Sequence, residues 1–374
     1  MTDRQAPPRA LQGAGHEPAS GRLAGPGQLQ SGSFTTTAPA SAEPLAELAR
    51  RYGLRPSATR PKVPAYLGQL WQRRHFILAF ATARNIALYT EAKLGQLWQV
   101  LTPLLNAGVY WLIFGELLHI SRGIPNYLGF VVTGVFVFNF TQRSFISTST
   151  VMTQNLDLIR ALQFPRAALP IGYVVIELQQ MLLSVVVLVP ILLLTGEPLT
   201  WHWLLLIPAL ALQMIFNTGC GLAVARLGSQ VNDVSQLLPF LTRTWLYVSG
   251  VIFSIASLGP TIAGLSASAS NKIIAILQLN PAALYITLTR TALMSSQRES
   301  APGSKPYNAA LCQTWHKLGQ LKNATAAHQY DSAYCHYAGA NPAHFWYYAA
   351  GWAVLALVVG FFFFWRAETG YGRG

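Results

Sequence analysis

The residues best able to do chemistry in this sequence are ionisable groups set inside long apolar runs. Glu177 and Arg243 stand out, because a charge carried into lipid is costly and needs a reason for being there. Counted inward from the ends of their segments, they lie at comparable depth. The reading is that they pair or face one polar lumen, with a plain helix-packing ion pair as the simpler account. A second set lies in a polar, His-rich stretch late in the chain, where Cys312 and Cys335 accompany His316, His328, His336 and His344. Three outcomes stand open for it: a disulfide on an oxidising face, a zinc site, or neither. The remaining cysteine, Cys220, lies in an apolar run and reads as a small hydrophobe. Aromatic residues that could stack on a sugar face are Tyr110 and Phe114 in one segment and Trp245 and Tyr247 in another. Packing explains such residues equally well.

Other chemistry is missing from the sequence. It contains no G-x-x-x-x-G-K-[ST] phosphate loop, so any dependence on ATP and Mg must come through another chain, with no cofactor bound by this one. No H-E-x-x-H or H-x-E motif occurs, and the thirteen acidic residues are scattered. A membrane glycosyltransferase or acyltransferase, which needs a clustered acid or His motif at one membrane face, is therefore disfavoured. An ion-coupled secondary transporter is disfavoured because neither an internal repeat nor an acidic midplane site is evident. A membrane scaffold without transport activity stays open.

These residues are positioned by helices that the composition assigns to lipid. Of 374 residues, 52% are hydrophobic and only 10% charged, against roughly a quarter charged in soluble domains. Several uncharged runs approach the ~20 residues needed to cross ~30 Å of hydrocarbon. The fold class expected is an all-α membrane protein with six transmembrane helices at 97–118, 127–146, 168–195, 203–225, 237–255 and 346–365. Trp98, Tyr127, Trp201, Trp203, Trp346, Tyr347 and Trp365 mark their ends as interfacial aromatics do. The net charge of +13 has two usual meanings, nucleic acid or anionic lipid, and the basic residues gathered before the first span favour lipid and exclude nucleic acid as a partner.

Arg73, Arg74, Arg84, Lys93, Arg160, Arg166, Arg226 and Arg366 all fall on one side of a six-span arrangement. That places both termini in the cytoplasm, in the plasma (inner) membrane, by the positive-inside rule. Residues 1–62 have no apolar h-region and read as a disordered cytoplasmic tail; residues 63–374 form the membrane domain. Over 65–88, Leu67, Leu70, Trp71, Ile77, Leu78, Ala81 and Leu88 fall within an arc of about 120° on a helix. A basic amphipathic helix of this kind lies in the membrane interface. Residues 260–295 are interrupted by Pro260, Asn271, Lys272, Asn280 and Pro281 and read as two re-entrant outer helices. Residues 296–342 form an external loop.

The stretch 155–166 is the most informative loop. Leu156, Ile159 and Leu162 share one face of a short helix, Pro165 pushes Phe164 out of helical geometry and stops it, and Pro170 suits the first turn of the next span. An apolar face with a basic end is shaped to dock on another protein.

Three quoted stretches, "YLGQLWQRRHFILAFATARNIALYTEAKLGQLWQVLTPLLNAGVYWLIFG", "LDLIRALQFPRAALP" and "LNPAALYITLTRTALM", occur in an order that resembles the permease subunit of ABC-type polysaccharide, teichoic-acid and O-antigen exporters, the type 2 ABC exporter transmembrane domain. The resemblance covers roughly 65–295 and the last span. It implies a homodimeric permease, not itself an enzyme, working with a separate ABC ATP-binding subunit. It implies that 155–166 is the ATPase-coupling loop, carried by Leu156, Ile159, Arg160, Leu162, Phe164, Pro165 and Arg166. It also implies that the 65–88 helix, with Trp71, Arg73 and Arg74, flanks the entrance for a lipid-linked glycan or polyol phosphate, and that 260–295 forms outer gate helices. Tyr110, Phe114, Glu177, Arg243, Trp245 and Tyr247 are then candidates for the substrate path. Export of another lipid or drug-like amphiphile is the nearest alternative. The 296–342 insertion departs from the short connection usual in that family.

Overall fold

The computed structural model describes residues 51–52, 62–88, 94–118, 124, 126–162, 164–231, 233–255, 273, 276–295 and 343–368. Residues 51–52 belong to a separate compact unit, Met1–Ser57; the rest belong to Ala58–Gly374. The described residues are helical, with turns and no strand. In chain order the helices are α1 Val63–Gln72, α2 Arg74–Ala87, α3 Trp98–Tyr110, α4 Tyr127–Ser149, α5 Val151–Gln154, α6 Leu156–Ala161, α7 Ala168–Leu194, α8 Leu206–Gln230, α9 Asp233–Val248, α10 Pro281–Leu293 and α11 Ala343–Arg366. One 3₁₀ turn, Gly95–Leu97, leads into α3 and another, Trp201–Leu205, into α8, while α3 runs on as a π-helical turn, Trp111–Leu117.

Among the described residues, four helical stretches are long and apolar enough to cross a membrane: Val100–Leu117, Ala168–Leu194, Trp201–Gln230 and His344–Arg366. They match the expected spans one, three, four and six. The expected spans two and five correspond to α4 and α9, which differ from the others for separate reasons. α9 has only 16 residues and carries Arg243 and Pro239. α4 has 23 residues but brings Asn139, Gln142, Arg143 and a series of Ser and Thr with it. Most of α4 is buried inside the protein, including Val131, Val135, Phe136, Val137 and Phe138. A helix clothed by other helices does not have to be apolar, because neighbours rather than lipid meet its polar groups.

Around α4 the elements segregate to two ends. At one end Tyr66, Ile77, Ala81, Val151, Ile159, Leu169, Leu222 and Phe364 form one apolar cluster. At the other, Asn126 caps α4 from a left-handed conformation (φ 48°), accepting from the Gly129 N–H and donating to Thr195 and Glu197 beside the end of α7. Asn is among the few residues that adopt this conformation readily. The helix expected over 65–88 is two helices meeting at Arg73. Its expected stripe divides as well. Ile77 and Ala81 turn into the protein and Leu70 is half-buried, while Leu67, Trp71, Leu78 and Leu88 stay exposed; Tyr66, outside the stripe, is buried.

α8 and α11 approach so closely that a Cβ added at Gly219 would overlap the Ala356 backbone, and one at Gly360 would overlap the Gly219 carbonyl. Small residues let helix backbones meet where apolar lipid supplies no hydrophobic drive for association. Gly360→Ala is expected to lose ~1–3 kcal/mol of stability through overpacking. Gly351→Ala in the same helix has nothing within 4 Å of the new methyl, and is expected to stay within ~1 kcal/mol of the parent. Thermal unfolding of the detergent-solubilised protein compares the two.

Candidate functional site

The loop expected to receive a partner lies at the α1/α2 end. Its helix, α6, has six residues, with Asp157 in the first turn and Arg160 in the last, and gives way to extended backbone at Leu162. The expected apolar docking face is corrected here. Ile159 is buried, Leu156 and Leu158 are half-buried, and Phe164 packs on Phe76 with ring centroids 5.6 Å apart. These residues fasten the loop to the protein's own core, because apolar side chains on a short helix are buried by the nearest available surface. The outward surface consists of Asp157, Arg160, Ala161 and Leu162. Pro165 is buried and Pro170 occupies the first turn of α7, as expected.

Arg166 and Ala167 close the loop against distant chain. The Arg166 backbone N–H donates to Glu368 Oε1 (3.0 Å) and its guanidinium to the Glu368 carbonyl. Tyr66 donates its hydroxyl to Glu368 Oε2 (2.9 Å) and accepts the Ala167 N–H (3.1 Å). Burial pushes the Glu368 carboxyl above its ordinary range, opposed by the hydrogen bonds from Arg166 and Tyr66 and by the Arg166 charge. Glu368 had no sequence signal beyond being an acid just past an apolar run.

Glu177 and Arg243 do not come together in the way their depth implied. Glu177 is buried on α7, where Arg143 of α4 acts on it electrostatically. Arg243 is exposed on α9 and acts on Tyr110 instead. Arg143 belongs to span two, where Asn139, Thr141, Gln142 and Ser144 around it give it no signal as an isolated charge in an apolar run. It donates to Gln180 Oε1 (2.8 Å), and Gln180 reaches Asn85 of α2. Gln179, next along α7, accepts from Asn85 and donates to Thr82. Pro103, Phe136, Asn139, Phe140, Arg143 and Glu177 line a narrow cleft here together with Gln180, Met181 and Ser184. Glu177 Oε2 is buried there with no hydrogen-bond partner among the described residues.

The aromatic candidates separate. Tyr110 and Phe114 are half-buried neighbours on α3 and its π turn, 6.4 Å between centroids, and Tyr247 and Arg243 of α9 lie within electrostatic reach of Tyr110. Tyr110 is the residue common to both groups. Trp245 turns the other way, stacking on Phe145 (5.8 Å) and donating its indole N–H to Asn280 Oδ1 (2.8 Å). It is a packing residue. Trp71, Arg73 and Arg74 are exposed, with the Arg74 guanidinium 5.2 Å from the Trp71 ring centroid.

The opposite end is held by two groups the sequence reading passed over. Arg290 of α10 is buried, and its guanidinium donates to the carbonyls of Phe130, Gly250 and Val251 at 2.7–3.1 Å while lying over the Phe130 ring. Gly134 is needed beneath it, since a Cβ there would overlap the guanidinium. Glu197 is buried and accepts from Asn126 and from both the N–H and hydroxyl of Ser295. Cys312, Cys335, His316, His328 and His336 lie outside the described residues, as do most of 260–275 and all of 296–342; among the described residues no group of metal-ligating side chains gathers.

A double-mutant cycle tests the charge assignment. Glu177→Gln and Arg143→Gln should be coupled by about 0.5 kcal/mol or more, since removing one partner strands a buried charge. Glu177→Gln and Arg243→Gln should add within about 0.5 kcal/mol. Thermal stability of the singles and doubles gives both values.

Residues 77–268, half of the chain, match the family described as ABC-2 type transporter. The chain is 27% identical over 180 residues to the O-antigen export system permease protein RfbA of Klebsiella pneumoniae, covering 48% of this chain and 69% of that one. It is 23% identical over 217 residues to the protein of the same name from Myxococcus xanthus, covering 58% of this chain and 83% of that one. The matched region contains α4, the α6 loop and the Glu177 cleft, and this membrane-embedded chain belongs to the ABC-2 type transporter family, as a permease of the type 2 ABC exporter kind and a transport subunit rather than an enzyme.

Proposed function

We propose that this chain is the permease of an ATP-driven exporter that moves a lipid-linked cell-surface polysaccharide, of O-antigen or teichoic-acid type, out across the plasma membrane. The observation that carries the reading is the similarity to O-antigen export permeases over 180 and 217 residues of the chain. It is supported by an α6 whose apolar side anchors inward and whose Asp157, Arg160, Ala161 and Leu162 face out. A short, well-anchored helix with a mixed outer face suits docking of a separate ATP-binding subunit, which would supply ATP and Mg. In this reading two copies of the permease enclose the path, and Tyr110, Phe114, Arg243 and Tyr247 face the glycan. Alternating access follows when closure of the ATPase dimer pushes on the α6 loops.

Membrane topology follows from the same reading. Six spans, α3, α4, α7, α8, α9 and α11, put the α6 end in the cytoplasm with both termini, and Arg73, Arg74, Arg84, Arg160, Arg166, Arg226 and Arg366 gather there as the positive-inside rule requires. α10 then belongs to the outer, re-entrant part. Exposed Leu67, Trp71 and Leu78 beside Arg73 and Arg74 suit a helix lying among lipid headgroups at a lipid-substrate entrance.

Depleting the protein should leave the lipid-linked polymer accumulating on the cytoplasmic side, read by chemical analysis of extracted lipids. Surface polymer unchanged on depletion would sink the proposal. Arg160→Glu with Leu162→Asp should weaken binding of the ATP-binding subunit roughly tenfold or more, as truncating interface anchors does, while the permease still inserts and folds. Co-purification with the ATP-binding subunit, titrated in detergent, measures it.

A further inference from the structure

We propose that Glu368 is a positioning residue of the transport cycle: its carboxylate fastens the C-terminal turn to the end of the α6 loop and to α1, making these three segments one mechanical unit. The proposal rests on the reading of the α6 loop as the place where the ATP-binding subunit acts.

The geometry is that of a helix cap assembled from far along the chain. The first N–H groups of any helix have no partner within the helix. α7 begins after Ala167 with no side chain of its own capping that end. The Arg166 N–H is taken by Glu368 Oε1, and the Ala167 N–H by the Tyr66 hydroxyl, which donates onward to Glu368 Oε2. The partners are separated by 202, 101 and 302 residues respectively. A carboxylate at the N-terminus of a 27-residue helix also meets the positive end of its dipole. Arg166 completes the arrangement by donating its guanidinium to the Glu368 carbonyl.

The cap is buried. Tyr66 is 1% exposed and Glu368 8%. Tyr66 meets Phe361 of α11 with centroids 6.0 Å apart, and Phe364 is fully buried in the same cluster as Ile159 of α6. Force applied to the outer face of α6 passes through 162–165 into Arg166 and Ala167, the two residues the cap holds. With the cap intact, that force moves the start of α7, α1 and the end of α11 together. Without it, the loop yields locally and the stroke is lost.

The test uses the full permease with its ATP-binding subunit in inside-out membrane vesicles from cells that make the polymer. Three quantities are measured: polymer moved into the vesicle lumen per ATP hydrolysed, ATP hydrolysis itself, and hydrogen exchange at the Arg166 and Ala167 amides. Glu368→Ala is expected to speed exchange at both amides and keep ATP hydrolysis, while lowering export per ATP about fivefold or more, the lower range of coupling between sites. Glu368→Gln, which keeps one acceptor oxygen in place of two and so one of the two hydrogen bonds, should fall between. Tyr66→Phe removes one hydroxyl, leaves the ring in place, and should repeat the effect in smaller measure; it decides the matter if Glu368→Ala fails to assemble. Faster amide exchange with export per ATP unchanged overturns the proposal, and so does a fall of export and hydrolysis in step. If the unaltered complex itself shows no ATP-dependent export, it is the function proposed above that fails.

Discussion

The structure depends on the burial of one polar helix. α4 contains Asn139, Thr141, Gln142 and Arg143, yet lies at the centre of the described residues, so each neighbour must bring it a hydrogen-bonding group. Gln213 of α8 donates to the Val137 carbonyl and Thr141, Gln142 donates to Thr242 of α9, Arg143 donates to Gln180 of α7, and Arg290 of α10 donates to the Phe130 carbonyl. In lipid, helices gain little from hydrophobic association, and close packing with polar contacts between helices must specify the arrangement. α4 is where those contacts converge. Gly228 of α8 adds a steric constraint at its end, since any side chain there would overlap the Ser149 carbonyl.

This explains which features were legible in the sequence. Apolar runs and their interfacial aromatics marked α3, α7, α8 and α11, because hydropathy is a one-dimensional property that survives without tertiary partners. α4 was found by the apolar part of its run, 127–146, but its role as the buried centre was not, because burial within protein and burial in lipid leave the same hydropathy signal. Arg143 and Arg243 show the difference most plainly. Each is the single arginine of its helix; only the packing of α4 against α7 places Arg143, and not Arg243, beside Glu177. Leu156, Ile159 and Leu162 have the spacing of one helical face, but α6 ends at Ala161 and leaves Leu162 exposed on extended backbone, and periodicity cannot say whether such a face meets a partner or the rest of the same chain. Ile159 meets its own chain. Glu368, Glu197 and Arg290 act through partners roughly 40 to more than 300 residues away, which no spacing rule reaches.

Each end of the bundle holds a buried carboxylate, Glu197 at one and Glu368 at the other, and the α10 end adds an arginine bound by carbonyls. Arg290 at the α10 end is fixed by backbone carbonyls, which carry no titratable or removable group. Gly250 takes a left-handed φ of 67° there, a conformation that suits glycine and aims its carbonyl at the guanidinium. The α6 end is fixed by side chains, Tyr66, Arg166 and Glu368, with only one or two bonds from each segment. A carbonyl-lined arginine is lost only if the surrounding turn unfolds; a carboxylate cap can release its donors one at a time.

That asymmetry fits a permease driven from one side. Under the proposed function, the ATP-binding subunit acts at α6, so the segment that must move is held by side-chain hydrogen bonds, while α10 and the turn at Gly250 give α4 a fixed point at the far end. Between them lies the polar line from Thr82 and Asn85 of α2 through Gln180 to Arg143 and Glu177. It is the described place where the amphipathic helices at the lipid surface reach a buried charge in the bundle. A helix pair anchored at Tyr66 to the α6 cap, and at Asn85 to α7, cannot shift at one anchor without loading the other. Under the proposed function, the α1/α2 pair and the α6 loop would respond to the same displacement of α7, coupling entrance and drive through packing that α4 holds in register.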